Sequence, residues 1–340
     1  MKRTLILFTL MAFVLSVAAQ NQMDEQGRRQ GYWLKTDKNG NKMFEGTFKD
    51  GQETGVFTYY YPNGKVRLRN TFSVPGIYCR HEAFDEEGRM LAEGFYNQKN
   101  RDSVWRFYNE KGMLVKIGSY RMGIKEGVQV IFNSDGDTAE YSTWRDNHRE
   151  GRWWKRVGKK GYITGTYRHG GPDGRMVEYD ENGKLCRDGN YKNGEKEGKY
   201  QYFDNGVLTV DEHWSNGNLV SRSILATTPS GKQYVATTSI AYIYPRQQQT
   251  AIFLMDGKII VCNETVETLS DRIGFEKFVL IDQKSRIIAN VACIQGLTRT
   301  ADGRQSIALE PKPAFEVFPS EETQKMVQSL MRGGEGMPED

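Results

Sequence analysis

The sequence predicts a mainly β protein: an elongated array of about eight β-hairpin repeats followed by a small α+β domain. Three observations carry that expectation. A glycine recurs at a nearly fixed interval, strand-forming residues flank it, and the interval stops near Ser221, where a different pattern begins. Composition agrees, since 36 glycines and 12% aromatic residues with only nine prolines describe turns and strands rather than disorder. A formal charge of +4 is too small to argue for a nucleic-acid partner, and none is expected.

The recurring glycine is Gly40, Gly64, Gly88, Gly112, Gly136, Gly161, Gly183 and Gly206, at spacings of 24, 24, 24, 24, 25, 22 and 23 residues. Such a period marks a repeat protein. Asn39, Asn63, Asp135, Asn182 and Asn205 precede it in five hairpins, and Asn-Gly or Asp-Gly predicts a two-residue turn with positive φ at both central positions. Glu87, Lys111 and Lys160 suit that turn less well and predict longer loops. With a two-residue turn, the residue seven before the glycine faces the residue six after it. Trp33, His81, Trp105 and Met176 are thereby set opposite Gly46, Gly94, Gly118 and Gly189. One pair further out, Gly31, Gly55, Gly127 and Gly174 face Phe48, Phe72, Trp144 and Tyr191. A ring lying over the glycine opposite it would fill the gap that glycine leaves. A second series, four residues before the turn glycine, is Tyr60, Phe84, Tyr108, Phe132, Tyr179 and Tyr202; it is expected to line the other face as a ladder. On this reading the glycines turn and pack the chain and bind nothing.

The pattern G-x-W/F-x-x-Y-x-x-N-G-K followed by G-x-Y/F-x-N/D-G, clearest in GVFTYYYPNGK and GNYKNGEKEGKYQYFDNG, resembles the MORN-repeat variant, including its antitoxin-type bacterial members. The resemblance covers about residues 31–221. The stretch GRWWKRVGKKGYITGTYRHGG departs from it, with an early aromatic at Tyr167 and a turn one residue longer. The resemblance implies a hairpin array used for binding or scaffolding, without defined catalytic residues, and some relatives imply an antitoxin or immunity role.

Residues 1–20 read as a secretory signal peptide: basic MKRT, apolar LILFTLMAFVLSVAA, and small residues Val17-Ala18-Ala19 before Gln20. The apolar run is shorter than the roughly 20 residues of a spanning helix. An exported protein is therefore expected, in the periplasm or at the outer membrane or cell surface, with no transmembrane segment after cleavage. The repeats then occupy 21–222, the α+β domain 223–318, and a short helix with a disordered tail 319–340.

In the second domain, KQYVATTSIAYIYP reads as a strand and TAIFLMDGKIIVC as a hairpin turning at Asp256-Gly257. ETVETLSDRIGFE reads as a helix capped by Asn263 or Thr265, and KFVLIDQKSRIIANVACI as two more strands. The run IFLMDGKII, a helix and FEKFVLIDQ resemble the plug domain of outer-membrane receptors. Cys262 and Cys293 both end strands, and a disulfide between them would close a loop of about thirty residues. Cys79 and Cys186 lie four hairpins apart, too far to pair, and are expected as buried small hydrophobes.

No nucleophile elbow, phosphate loop or metal-ligand spacing occurs, so no catalytic residue, metal or cofactor is expected. NSDGDTAE and YDENGK read as Asx-type turns rather than calcium loops. Binding is the more credible activity. Its candidates are the cluster Trp153, Trp154, Lys155 and Arg156 and the ladder Tyr60, Tyr108, Phe132, Tyr179 and Tyr202. The expected role is an interaction scaffold for envelope proteins, with a glycan- or peptidoglycan-binding module as the alternative.

Overall fold

The computed structural model describes residues 20–332, so the expected leader up to residue 19 and the last eight residues of the expected tail lie outside it. The described chain divides into two compact units, residues 20–172 and 173–332. Between Gln22 and Ala236 it forms twenty strands in antiparallel hairpin succession, which is the predicted repeat architecture.

The predicted cross-strand register is present. Trp33 faces Gly46, His81 faces Gly94, Trp105 faces Gly118 and Met176 faces Gly189. Gly31, Gly55, Gly127 and Gly174 face Phe48, Phe72, Trp144 and Tyr191.

The turns differ from expectation. At Asp37–Asn41 the Gly40 N–H donates to Asp37 O at 3.1 Å and the Asp37 N–H donates to Asn41 O at 2.9 Å, which is a three-residue loop with glycine in the left-handed position. The same pair of bonds closes the turns at Gly64, Gly88, Gly112, Gly136 and Gly183. The cause lies three residues before the glycine, where Asp37, Asp85, Asn109, Asn133 and Asp180 accept from two backbone N–H groups within the loop. A bulge beside each turn absorbs the extra residue, and the register survives. Primed two-residue turns do occur, at Asn205-Gly206 and at the opposite end of the strands. There Asp50-Gly51, Gln98-Lys99, Met122-Gly123, Asp146-Asn147, His169-Gly170, Asn193-Gly194 and Asn216-Gly217 all take positive φ.

The sixth hairpin lacks the bulge. Val157 pairs with Gly161, the loop is Gly158-Lys159-Lys160, and Gly161 is a strand residue rather than the turn glycine. The large-against-small pairing is nevertheless kept, with Trp153 opposite Gly165 and Gly151 opposite Tyr167.

In the second unit the last repeat strand, Asn218–Thr228, runs through the expected boundary at 222/223. A five-stranded antiparallel sheet follows, in the order 259–262, 249–254, 240–246, 287–290, 278–282. Alternation along its strands gives two cores. Ile243, Ile252 and Ile288 pack with helix α1 (Val266–Ile273) and with Val210, Ile224 and Val235 of the last hairpins. Tyr242, Ile287 and Ala289 pack with the hairpin 294–309 and with Val327 of helix α2 (Glu321–Arg332). Thr265, not Asn263, caps α1 by accepting from the Thr268 N–H. The expected Cys262–Cys293 disulfide is not formed: Cys262 lies in the first core and Cys293 in the second, on opposite faces of the sheet. Cys79 and Cys186 are also free thiols, the first buried and the second half-buried.

Candidate functional site

The first unit contains no helix among its described residues, so its sheet must bury side chains without a second layer of its own. One face does this with rings. At Gly46, Gly94 and Gly189 the ring that lies on the glycine comes from the following hairpin, not from the residue opposite within the same hairpin, and at Gly118 the following hairpin supplies the Gln129 amide instead. A Cβ on Gly46 would sit 2.1 Å from the Phe57 ring, one on Gly94 2.4 Å from the Trp105 ring, and one on Gly189 of the second unit 2.2 Å from the Tyr200 ring. His81 therefore does not cover Gly94 as expected; it lies beside Trp105, with ring centroids 5.6 Å apart.

Basic residues close over rings of this face. Arg29 caps Trp33 at 4.9 Å, Arg101 caps Trp105 at 4.9 Å, Lys125 caps Trp144 at 4.2 Å and Lys196 caps Trp214 at 4.2 Å. The next residue in sequence ties a neighbouring turn. Gln30, Asp102, Glu126, Glu150, Asp173 and Glu197 each accept from the first backbone N–H of the next primed turn, at 2.8–3.2 Å. Sequence reasoning missed this pairing, although triplets such as Lys125-Glu126-Gly127 and Lys196-Glu197-Gly198 repeat its signal.

The tryptophan cluster is not one surface. Strand alternation sends Trp153 and Lys155 to the ring face and Trp154 and Arg156 to the other. Trp153 is 8% exposed, packs edge-on against Tyr167 and donates from Nε1 to Glu140 at 3.2 Å, so it belongs to the packing. Lys155 is exposed. Trp154 is half-buried and stacked on Tyr162, and Arg156 donates to Thr138 O and Lys159 O at 3.2 and 2.8 Å.

The ladder positions are half-buried and do not stack on one another, because they stand two strands apart, about 10 Å. The hydroxyls of Tyr60 and Tyr108 meet carboxylates instead. Tyr60 and Tyr32 donate to Glu45, and Tyr108 donates to Glu93 at 3.0 Å. Hydrogen bonds from Tyr60, Lys42 and Tyr32 hold the Glu45 carboxyl down at about 2. Burial, then the bond to Glu45, pushes the Tyr60 phenol up to about 12. Phe132 and Tyr179 occupy the same register position in their hairpins. Tyr202 does not: its turn is one residue shorter, so it shares the ring face with Tyr200, centroids 5.4 Å apart.

Beside the ladder runs a row of directly opposed residues. Its first part is Glu45, Thr58, Arg69, Glu82, Glu93 and Arg106, charged at every position but the buried Thr58. Glu82 and Glu93 face each other, and Arg80 relieves that like-charge contact at 3.3 and 3.1 Å. The row continues as Ile117, Val130, Tyr141 and Trp154, all partly exposed. No cluster able to hold a metal ion occurs among the described residues, and no helix there is long and apolar enough to cross a membrane.

Repeated hairpins locked ring-on-glycine to their neighbours define the chain as a β-hairpin repeat protein. Two stretches, residues 53–73 and 172–193, match the family model described as MORN repeat variant, the repeat type read from the sequence. Repeats of this kind are generally interaction modules rather than catalysts. No curated protein matches the chain. Among the solved structures that match is a chain of "Crystal Structure of TcdB2-TccC3-TEV", 10% identical, spanning 88% of this chain and 14% of that chain, with a TM-score of 0.16. A likeness of that size bears on neither fold nor function.

Proposed function

We propose that this chain is an exported protein of the bacterial envelope that acts as a protein–protein interaction scaffold. The observation that carries the reading is the divided row on the ladder face. The apolar stretch Ile117, Val130, Tyr141 and Trp154 offers area to bury, while the adjoining charge pairs around Glu82 and Glu93 fix register and reject mismatched partners. Strand backbone holds every member in place, so little ordering cost accompanies binding. Export rests on the leader-like residues 1–20.

The test is a pull-down from envelope extract with residues 21–340, beside a variant carrying Ile117→Lys and Tyr141→Lys, together with fractionation of cells expressing the full chain. The expected result is a defined envelope protein held by the native chain and lost from a folded variant, with the chain in the periplasmic or outer-membrane fraction. A cytoplasmic chain with an uncut leader, or equal capture by both versions, contradicts the reading.

A further inference from the structure

Between the ring-covered Gly46 and Gly94, the second hairpin has no glycine to receive a ring. The position six after the turn glycine is Gly46, Gly94 and Gly118 in the first, third and fourth hairpins, Ser142 in the fifth, and Asn70 in the second. The position nine before it adopts positive φ in neighbouring hairpins, at Gly31, Gly55, Ser103 and Gly127, whereas Cys79 in the third stays extended and pairs regularly with Phe72. No ring can lie on Asn70. His81 bonds to it instead, Nδ1 to Oδ1 at 2.7 Å. A cavity of about 400 Å3 opens over this spot, with Gly76 and Ile77, which is 40% exposed, in its lining.

From this geometry we infer that the cavity between the second and third hairpins is a binding site for an uncharged saccharide unit. Tyr59, Phe72 and Tyr96 wall it with apolar ring surface, which suits the C–H face of a pyranose. The polar rim of such a ring needs donors and acceptors together, and both are present. Glu53 accepts from the Tyr59 hydroxyl at 2.9 Å through Oε1, leaving Oε2 without a hydrogen-bond partner. With Nδ1 donating to Asn70, His81 Nε2 is a second free acceptor, and burial of the imidazole, with the charge of Arg101, keeps it neutral down to about pH 4. Asn70 Nδ2 and Lys99 supply donors. Glu53 and Lys99 balance in charge, which favours a neutral ligand over an anion or a cation. The Cys79 thiol also lines the cavity, but burial and the Glu53 charge push it up to about 11, so it is a wall rather than a nucleophile. This site shares no residue with the divided row.

The experiment is saturation-transfer NMR on residues 21–340 with chitotriose and, separately, maltotriose, repeated on Asn70→Gly and Glu53→Gln. Asn70→Gly restores the residue of the first and third hairpins and removes the amide; Glu53→Gln keeps the shape and removes the charge. Transfer to ring protons of at least one trisaccharide, with affinity at least tenfold weaker in both variants at unchanged circular dichroism, is the expected result. Should Asn70→Gly fail to fold, Glu53→Gln carries the comparison. Absence of transfer from both sugars at millimolar concentration, or transfer that neither variant weakens, overturns the assignment.

Discussion

The two units bury their side chains in opposite ways. Residues 20–172 bury rings: Phe57 and Trp105 are each 1% exposed and laid on glycines, and Arg101 caps Trp105. The second unit buries branched aliphatics, with Ile240, Ile243, Ile252 and Leu269 fully enclosed between its sheet, α1 and the last hairpins. It is also tied by internal ion pairs, of which Glu212 with Arg222 at 2.6 Å is the most enclosed. A sheet with no second layer must exclude water with wide flat groups and neighbouring backbone. A sheet covered on both faces can use compact side chains that interdigitate. Stability should accordingly be nearest-neighbour in the first unit and shared through a common core in the second.

The largest effect that tests this contrast is truncation. Trp105→Ala should cost about 3–5 kcal/mol, with loss of hydrogen-exchange protection confined to the strands within about 78–132. Leu269→Ala should cost about 2–5 kcal/mol and lower protection throughout residues 207–309. Equal spread of the two losses would erase the distinction. Next in size, Glu212→Ala should cost about 3–5 kcal/mol, because Arg222 is then left enclosed and unpaired, while the double change Glu212→Met with Arg222→Met should recover most of it in urea melts.

Acid should weaken the first unit through His81. Its folded value near 4 lies below the ordinary 6.5, since burial, then the charge of Arg101, disfavours the imidazolium. The unfolded chain therefore binds the proton first. The stabilisation is full above pH 6.5 and is lost as pH falls through about 4, a contribution on the order of 2 kcal/mol. Melting His81→Phe beside the native chain at pH 7.5 and pH 4.5 reads the difference, which the substitution should flatten. The smallest expected effect has the opposite sign. The Tyr242 hydroxyl is buried in the second unit without a hydrogen-bond partner, so Tyr242→Phe should leave stability unchanged or raise it by up to about 1 kcal/mol in the same melts.

Much of this contrast was legible in the sequence. The period, the register and the large-against-small pairs follow from glycine and aromatic spacing, and a two-residue miscount in the turn would have moved every side chain off its partner. The turn type was misread because Asn-Gly drew attention from the Asx acceptor at Asp37 or Asn109, and the register was right only because a bulge cancels the extra residue. Spacing along one strand cannot tell which neighbour supplies the ring over a glycine, so Trp105 was missed as the cover of Gly94. Adjacent aromatics suggested a patch at Trp153 and Trp154, whereas alternation divides them. The cavity was hidden for a different reason: Asn70 and Cys79 look like ordinary strand residues until the neighbouring hairpins show what should have stood there.

The lock of one hairpin to the next by a ring laid on a glycine, as at Gly46, Gly94 and Gly189, is probed by a double-mutant cycle on Gly94. Gly94→Ala alone should cost about 1–3 kcal/mol, because its Cβ would enter the Trp105 ring. Combined with Trp105→Val the same change should cost almost nothing further, while combined with His81→Ala it should add within about 0.5 kcal/mol. Strong coupling to His81 with additivity at Trp105 would instead put the lock between the two strands of a single hairpin.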